Sequence, residues 1–136
     1  MSIKKFTDLD AWKINHKLVV EIYKLTKGFP RDELFVLVSQ MRRAAVSITS
    51  NIAEGFGRGS RIDKIHFYQI SRGSLYELES QILVSRDVGY ITDKICEQLL
   101  EKIADGTKIL HGLIRSADSK NKPIPNSKIL NTKETI

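Results

Sequence analysis

Residues 39–61 read SQMRRAAVSITSNIAEGFGRGSR, and the fold of the chain turns on them. With Leu34 and Leu37 just upstream, Met41, Ala45, Ile48 and Ile52 recur at alternating intervals of three and four, the spacing that lines one face of an α-helix. A second line of Arg43, Ser47, Ser50 and Glu54 runs beside it, flanked by Gln40, Ala44 and Asn51, where a plain bundle helix would carry more leucines. Ala and Ser let a neighbouring backbone come close, while Asn, Glu and Arg are costly to bury unpaired. Arg43, Ser47, Ser50, Asn51 and Glu54 therefore read as a polar network or a subunit interface.

Amphipathic segments continue on both sides, and none alternates as a strand would. Thr7 with Asp10 forms a weak capping box for a first helix near 8–27, which buries Leu9, Trp12, Val19, Ile22 and Tyr23 before Gly28 ends it. Pro30 starts the second helix, near 32–56, with Asp32 and Glu33 at its positive N-terminal dipole. Gly55, Gly57 and Gly59 break the pattern, and Ser60 with Asp63 caps a third helix near 61–89. Tyr68, Leu75, Leu78, Ile82 and Ser85 form its core face, while Ser71, Gly73 and Ser74 leave a notch for the small-residue flank of helix two. Gly89 stops it. Thr92 opens a fourth helix near 92–118, with Ile95, Leu99, Ile103, Gly106, Leu110 and Leu113 at heptad-like spacing. Short links between four such helices predict an all-α fold, an antiparallel up-down-up-down four-helix bundle over residues 1–119. Residues 120–136, KNKPIPNSKILNTKETI, are polar and aperiodic and read as a basic disordered tail.

A chain of 136 residues fits one domain that needs neither metal nor disulfide to build its core. Cys96 is the single cysteine, which excludes an internal disulfide and points to a reducing cytoplasm. The opening MSIKKFTDLD turns acidic where a signal peptide needs its apolar stretch, and no later run is apolar enough to span a membrane. The net charge of +6 is uneven: residues 1–27 hold six basic and three acidic side chains, 28–61 five and three, and 120–136 four and one. Such asymmetry points to a polyanion, although a solvated basic surface accounts for it as well.

Catalytic and metal-binding patterns are missing. A ferritin-like di-iron site needs two Glu-x-x-His pairs and two further glutamates, and the nearest approach is the single pair Asp63 and His66. GFGRGS resembles a phosphate loop in composition only, since it follows a helix and lacks the Lys-Ser/Thr ending. Ser47 and Ser50 have no histidine near them in sequence, and no catalytic residue, metal or cofactor is expected. Arg42 and Arg43 are adjacent, and Arg58, Arg61 and Lys64 cluster across the glycine junction, with Arg72 further along helix three. Their chemistry suits nucleic-acid phosphate and also the carboxylates of a neighbouring subunit. Arg43, by its spacing to Glu54 and Asn51, fits a structural network better than phosphate.

These residues resemble a bacterial family of four-helix-bundle proteins encoded by intervening sequences within 23S ribosomal RNA genes. The landmarks are Phe6-Thr7-Asp8-Leu9 with Trp12, Phe29-Pro30 with Glu33-Leu34, the run from Ser39 to Arg58, and Phe67 with Gly73-Ser74-Leu75-Tyr76-Glu77-Leu78. Thr49 departs from the family, whose members often carry proline there, and implies a straighter or differently kinked helix. The resemblance implies a left-handed bundle and a homopentameric ring, as in the related accessory variability proteins of diversity-generating retroelements, which are basic and associate with nucleic acid and a reverse transcriptase. Two readings follow. One is a non-enzymatic accessory protein that holds RNA or DNA backbone through Arg58, Arg61, Lys64 and the tail, with Arg42 and Arg72 in support. The other is an oligomeric scaffold whose partner is another protein.

Overall fold

A computed structural model describes residues 2–120. The basic tail expected at 120–136 lies, past Lys120, outside the described residues. Four long helices form the body: α1 (Asp10–Thr26), α2 (Ser39–Phe56), α3 (Arg61–Asp87) and α4 (Asp93–Lys120), and no strand occurs among the described residues. Each packs against the next and α1 packs against α4, so the four enclose one core. Pairings across the helices run in opposite order: Ser85, Ser74 and Ser71 of α3 bond to Met41, Ser47 and Ile48 of α2. On the other side Asn15 and Glu21 of α1 bond to Gly106 and Lys102 of α4. Both pairs are therefore antiparallel.

The core is made of the side chains that periodicity selects. Ile22, Met41, Ile48, Ile52, Leu75, Leu78, Ile82 and Leu110 have no solvent exposure. Burying each side chain of this size contributes about 1.5–3 kcal/mol before entropy is counted. Besides Leu34 at the start of helix two, two expected members lie outside: Tyr23 and Ile95 are exposed, and Thr26 and Cys96 are buried beside them. The rest of both stripes is buried as expected, Val19 and Ile22 in α1 and Leu99, Ile103 and Leu110 in α4, with polar Asn15 and Thr26 and the small Cys96 added to the core.

Three helix starts differ from expectation or meet it for identifiable reasons. Ser60 accepts from the Asp63 amide at 3.1 Å and Thr92 from the Ile95 amide at 3.1 Å, so both caps form as expected. Thr7 does not cap α1. It sits in a 3₁₀ turn, Phe6–Asp8, where the Asp8 carboxylate accepts the Lys4 and Lys5 amides at 3.0 Å each. A carboxylate outbids a hydroxyl for amide hydrogens, and these two bonds hold the Asp8 carboxyl below its usual range. Gly89 adopts φ +88°, a left-handed conformation open to glycine, and so ends α3 as anticipated.

The largest departure is at the start of helix two. Instead of one α-helix from residue 32, a 3₁₀ turn (Arg31–Glu33) leads into a π-helical turn (Leu34–Val38), and regular α-helix begins at Ser39. A π turn holds more residues than an α turn, so it shifts the phase of everything upstream. Leu34 thereby leaves the core stripe and Val38 enters it. From inside, this elbow is held by Tyr90, whose hydroxyl donates to Glu33 Oε2 at 2.5 Å and whose ring meets Phe29 at 5.3 Å.

That bond makes a titration prediction. The hydrogen bond to the Glu33 carboxylate, with burial adding to it, pushes the Tyr90 hydroxyl up to about 12. A raised folded-state pKa keeps the elbow bond intact below the ordinary tyrosine range near 10 and loses it as pH rises toward 12. Burial raises the Tyr68 phenol as well, so absorbance titration of the four tyrosines should show two late phenols, of which Glu33→Gln should move only that of Tyr90 earlier. A titration that Glu33→Gln leaves unchanged contradicts the bond.

Candidate functional site

The charged and small residues of the quoted stretch fall into three places. The first is the contact between α2 and α3. Ser74 Oγ donates to Ser47 Oγ at 2.8 Å, Asn51 Nδ2 donates to the same oxygen at 3.0 Å, and buried Ser71 donates to the Ile48 carbonyl at 2.7 Å. The notch on helix three thus receives the flank of helix two within one chain, through Ser71 and Ser74. Gly73 is no part of it, since its open side faces solvent. Gly55 closes the same seam lower down: a Cβ there would lie 2.6 Å from the Tyr68 ring and 3.1 Å from the Lys64 carbonyl oxygen.

The expected five-residue network is accordingly divided. Ser47 and Asn51 belong to the seam, Ser50 is exposed, and no bond links Arg43 to Glu54, which instead accepts from Arg58 at 2.8 Å. Helical geometry explains the correction, because a side chain reaches partners one turn away, as Arg58 is from Glu54, far more readily than partners three turns away. Ser47 consequently has a role inside the subunit.

The second place is the junction of α2 and α3. Arg58 pairs with Glu54 and lies over the Phe67 ring at 4.6 Å, Arg61 pairs with Asp118 at 2.7 Å, and Lys64 Nζ donates to the Phe56 carbonyl at 2.7 Å. Lys64 thus places its charge at the negative C-terminal end of α2. The Arg72 side chain makes no hydrogen bond or ion pair among the described residues. Both arginine pairs are half-exposed. Surface pairs of this kind contribute about 0–1 kcal/mol, so either guanidinium exchanges its carboxylate for a phosphate at small cost.

The third place is the elbow, which the sequence reading missed. Arg42 does not extend toward solvent: its Nε donates to Thr26 Oγ1 at 3.0 Å and its guanidinium covers the Tyr23 ring at 4.7 Å. With Tyr23, Leu34, Phe35, Arg43 and Val46 it lines a groove of about 620 Å³. Phe35 is 89% exposed, Val36 61% and Leu34 47%. The signal was present in Leu34-Phe35-Val36-Leu37-Val38, five consecutive apolar residues that cannot all lie on one face of a helix.

Among the described residues no group of three or more metal-binding side chains occurs, and no helix is long and apolar enough to cross a membrane. Cys96 is buried and has no second thiol.

Comparison with known proteins bears on these surfaces. No curated protein matches the chain. The fold matches the crystal structure of a protein with unknown function from the S23 ribosomal protein family of Bacteroides thetaiotaomicron, with a TM-score of 0.72 and 25% identity over 77% of this chain and 95% of that one. Residues 7–112, from the first 3₁₀ turn to the second half of α4, match the family model described as 23S rRNA-intervening sequence protein. The chain belongs to the family of 23S rRNA-intervening sequence proteins.

Proposed function

We propose that this chain is a non-enzymatic, cytoplasmic accessory protein that assembles with copies of itself, as a ring of five by family resemblance, and holds nucleic-acid backbone through many weak phosphate contacts. The observation that carries the reading is the elbow. Three adjoining apolar side chains stand exposed on a turn that Tyr90 and Glu33 hold firmly from behind, which is the form of a contact surface rather than of a core. Unpaired Arg43 on its rim adds the polar edge common to subunit interfaces.

Nucleic acid is favoured over a purely protein partner by the charge distribution. Residues 28–61 carry five basic groups against three acidic ones, of which Glu54 is paired with Arg58, and Arg72, without a side-chain partner among the described residues, stands two helical turns from Lys64. Each subunit offers few contacts, and a ring multiplies them through effective concentration.

Light scattering of the purified protein should show an oligomer at micromolar concentration. Binding to RNA or DNA should weaken with salt at a slope of roughly −0.9 per phosphate contact on duplex DNA and less on single strands. Replacing Arg58 and Arg72 by Ala, with Lys64 retained to cap α2, should lower affinity to a similar degree for unrelated sequences and flatten that slope. Oligomer without any nucleic-acid binding at low salt leaves the scaffold reading, with a protein as partner.

A further inference from the structure

We infer that the groove between α3 and α4 is a binding site for a nucleoside phosphate, either free or as one residue of a single strand. The second half of α4 places Lys108, His111 and Arg115 at intervals of three and four, on one face of the helix. Together with Thr107 of α4 and Tyr76 and Glu79 of α3 they line a groove of about 500 Å³ over the apolar side chain of Ile103. That volume falls within the range of small-molecule sites, about 300–1,000 Å³.

The polar groups here are uncommitted, in contrast to those at the helix junction. Among the described residues the exposed side chains of Lys108 and Arg115 make no hydrogen bond or ion pair, and Tyr76, 54% exposed, has no ring or hydroxyl partner. His111 Nε2 is buried and has no hydrogen-bond partner among the described residues. A buried ring nitrogen left unpaired is costly, and a ligand oxygen or nitrogen seated in the groove would satisfy it. Two cations facing one carboxylate favour an anion, and arginine with lysine suits phosphate. Inorganic phosphate would leave the tyrosine face and the apolar floor unused. A base stacks on an exposed aromatic ring, while the Thr107 hydroxyl and the Glu79 carboxylate are placed to meet sugar hydroxyls.

The inference shares phosphate chemistry with the proposed function but uses none of the junction residues. Calorimetric titration of the full chain with adenosine monophosphate, and anisotropy with a short single-stranded oligo(A), separate the two sources. Tyr76→Ala should weaken binding by between about 5- and 100-fold, the range of one base–aromatic stack, and Tyr76→Phe should keep it. Lys108→Ala with Arg115→Ala should weaken it at least about 10-fold and reduce the salt dependence, whereas Lys24→Ala with Lys94→Ala, an equal loss of exposed charge elsewhere, should not. All are surface positions, and circular dichroism checks that the variants remain helical. Loss of both probes in the groove variants assigns the site to a strand, and loss of the mononucleotide alone, with no oligonucleotide binding by the parent, assigns it to a free nucleotide and overturns the nucleic-acid reading instead. Absence of binding to either probe overturns the inference. So does binding that the Lys24 and Lys94 pair weakens as much as the groove pair, or binding of both probes that the groove variants leave unchanged.

Discussion

Replacing Ser71 with leucine is expected to lower the melting temperature by about 10 °C or more. Ser71 is completely buried and its hydroxyl donates to the Ile48 carbonyl at 2.7 Å, so α3 and α2 meet there with only a serine between their backbones. Leucine removes a hydrogen bond of about 1 kcal/mol and forces extra carbon atoms into a packed seam at a typical cost of about 1–3 kcal/mol. Neighbouring contacts leave little room for relief, because Ser74 bonds to Ser47 one turn away and Gly55 already stands close to the Tyr68 ring. Ser71→Ala tests the parts separately: it keeps the close approach and should cost only about 1 kcal/mol. Thermal unfolding followed by circular dichroism measures both. A leucine variant as stable as the parent means the seam is looser than the 2.7 Å bond requires.

The second large effect concerns assembly rather than folding. Phe35→Glu should convert the proposed oligomer to monomer while leaving the melting temperature of the subunit nearly unchanged. Phe35 is 89% exposed, and surface substitutions free of special contacts shift stability by only about 0.5 kcal/mol. In an interface the same ring would be an anchor, and aromatic anchors contribute about 2 kcal/mol or more, so a carboxylate pressed against the partner's apolar surface should cost roughly 30-fold or more in association. Sedimentation velocity on parent and variant reads the change directly. An unaltered oligomer places the interface elsewhere and removes the elbow from it; loss of helicity would mean that Phe35 supports the subunit after all. Ser47, which seemed the natural probe of assembly from its place in the Ala/Ser flank, is unsuited to this test because it bonds to Ser74 inside the subunit.

Much of this protein is legible from local chemistry. The stripe from Met41 to Ile52, the Ser60 and Thr92 caps and the Gly89 stop depend on residues within a turn or two of one another, and each is formed by the residues that announce it. The same locality makes the exceptions intelligible. Thr7 lost its cap to Asp8, one residue away and charged, and Tyr23 gave up the core to Thr26, whose hydroxyl donates to the Ile22 carbonyl at 2.8 Å and so is satisfied inside its own helix. A buried threonine of this kind has no signature in hydrophobic periodicity.

The candidate sites were legible in kind but not in partner. Arg58, Arg61 and Lys64 do gather at one junction, as their sequence positions suggested, yet each spends its charge on a different group: Glu54, the distant Asp118, and the Phe56 carbonyl. What the sequence by itself determined is therefore the number of helices, most of their ends and the residues of their core faces, since these follow from the 3.6-residue period and from caps a few residues long. Only the tertiary structure decided that Leu34–Val38 winds as a π turn and turns Phe35 outward, that Ser71 and Ser47 serve the seam between α2 and α3, and that Tyr76 meets Lys108, His111 and Arg115 across one groove. These outcomes depend on side chains far apart in the chain, and the phase and partner of a helix face are set by the neighbour that packs against it rather than by the helix that carries it.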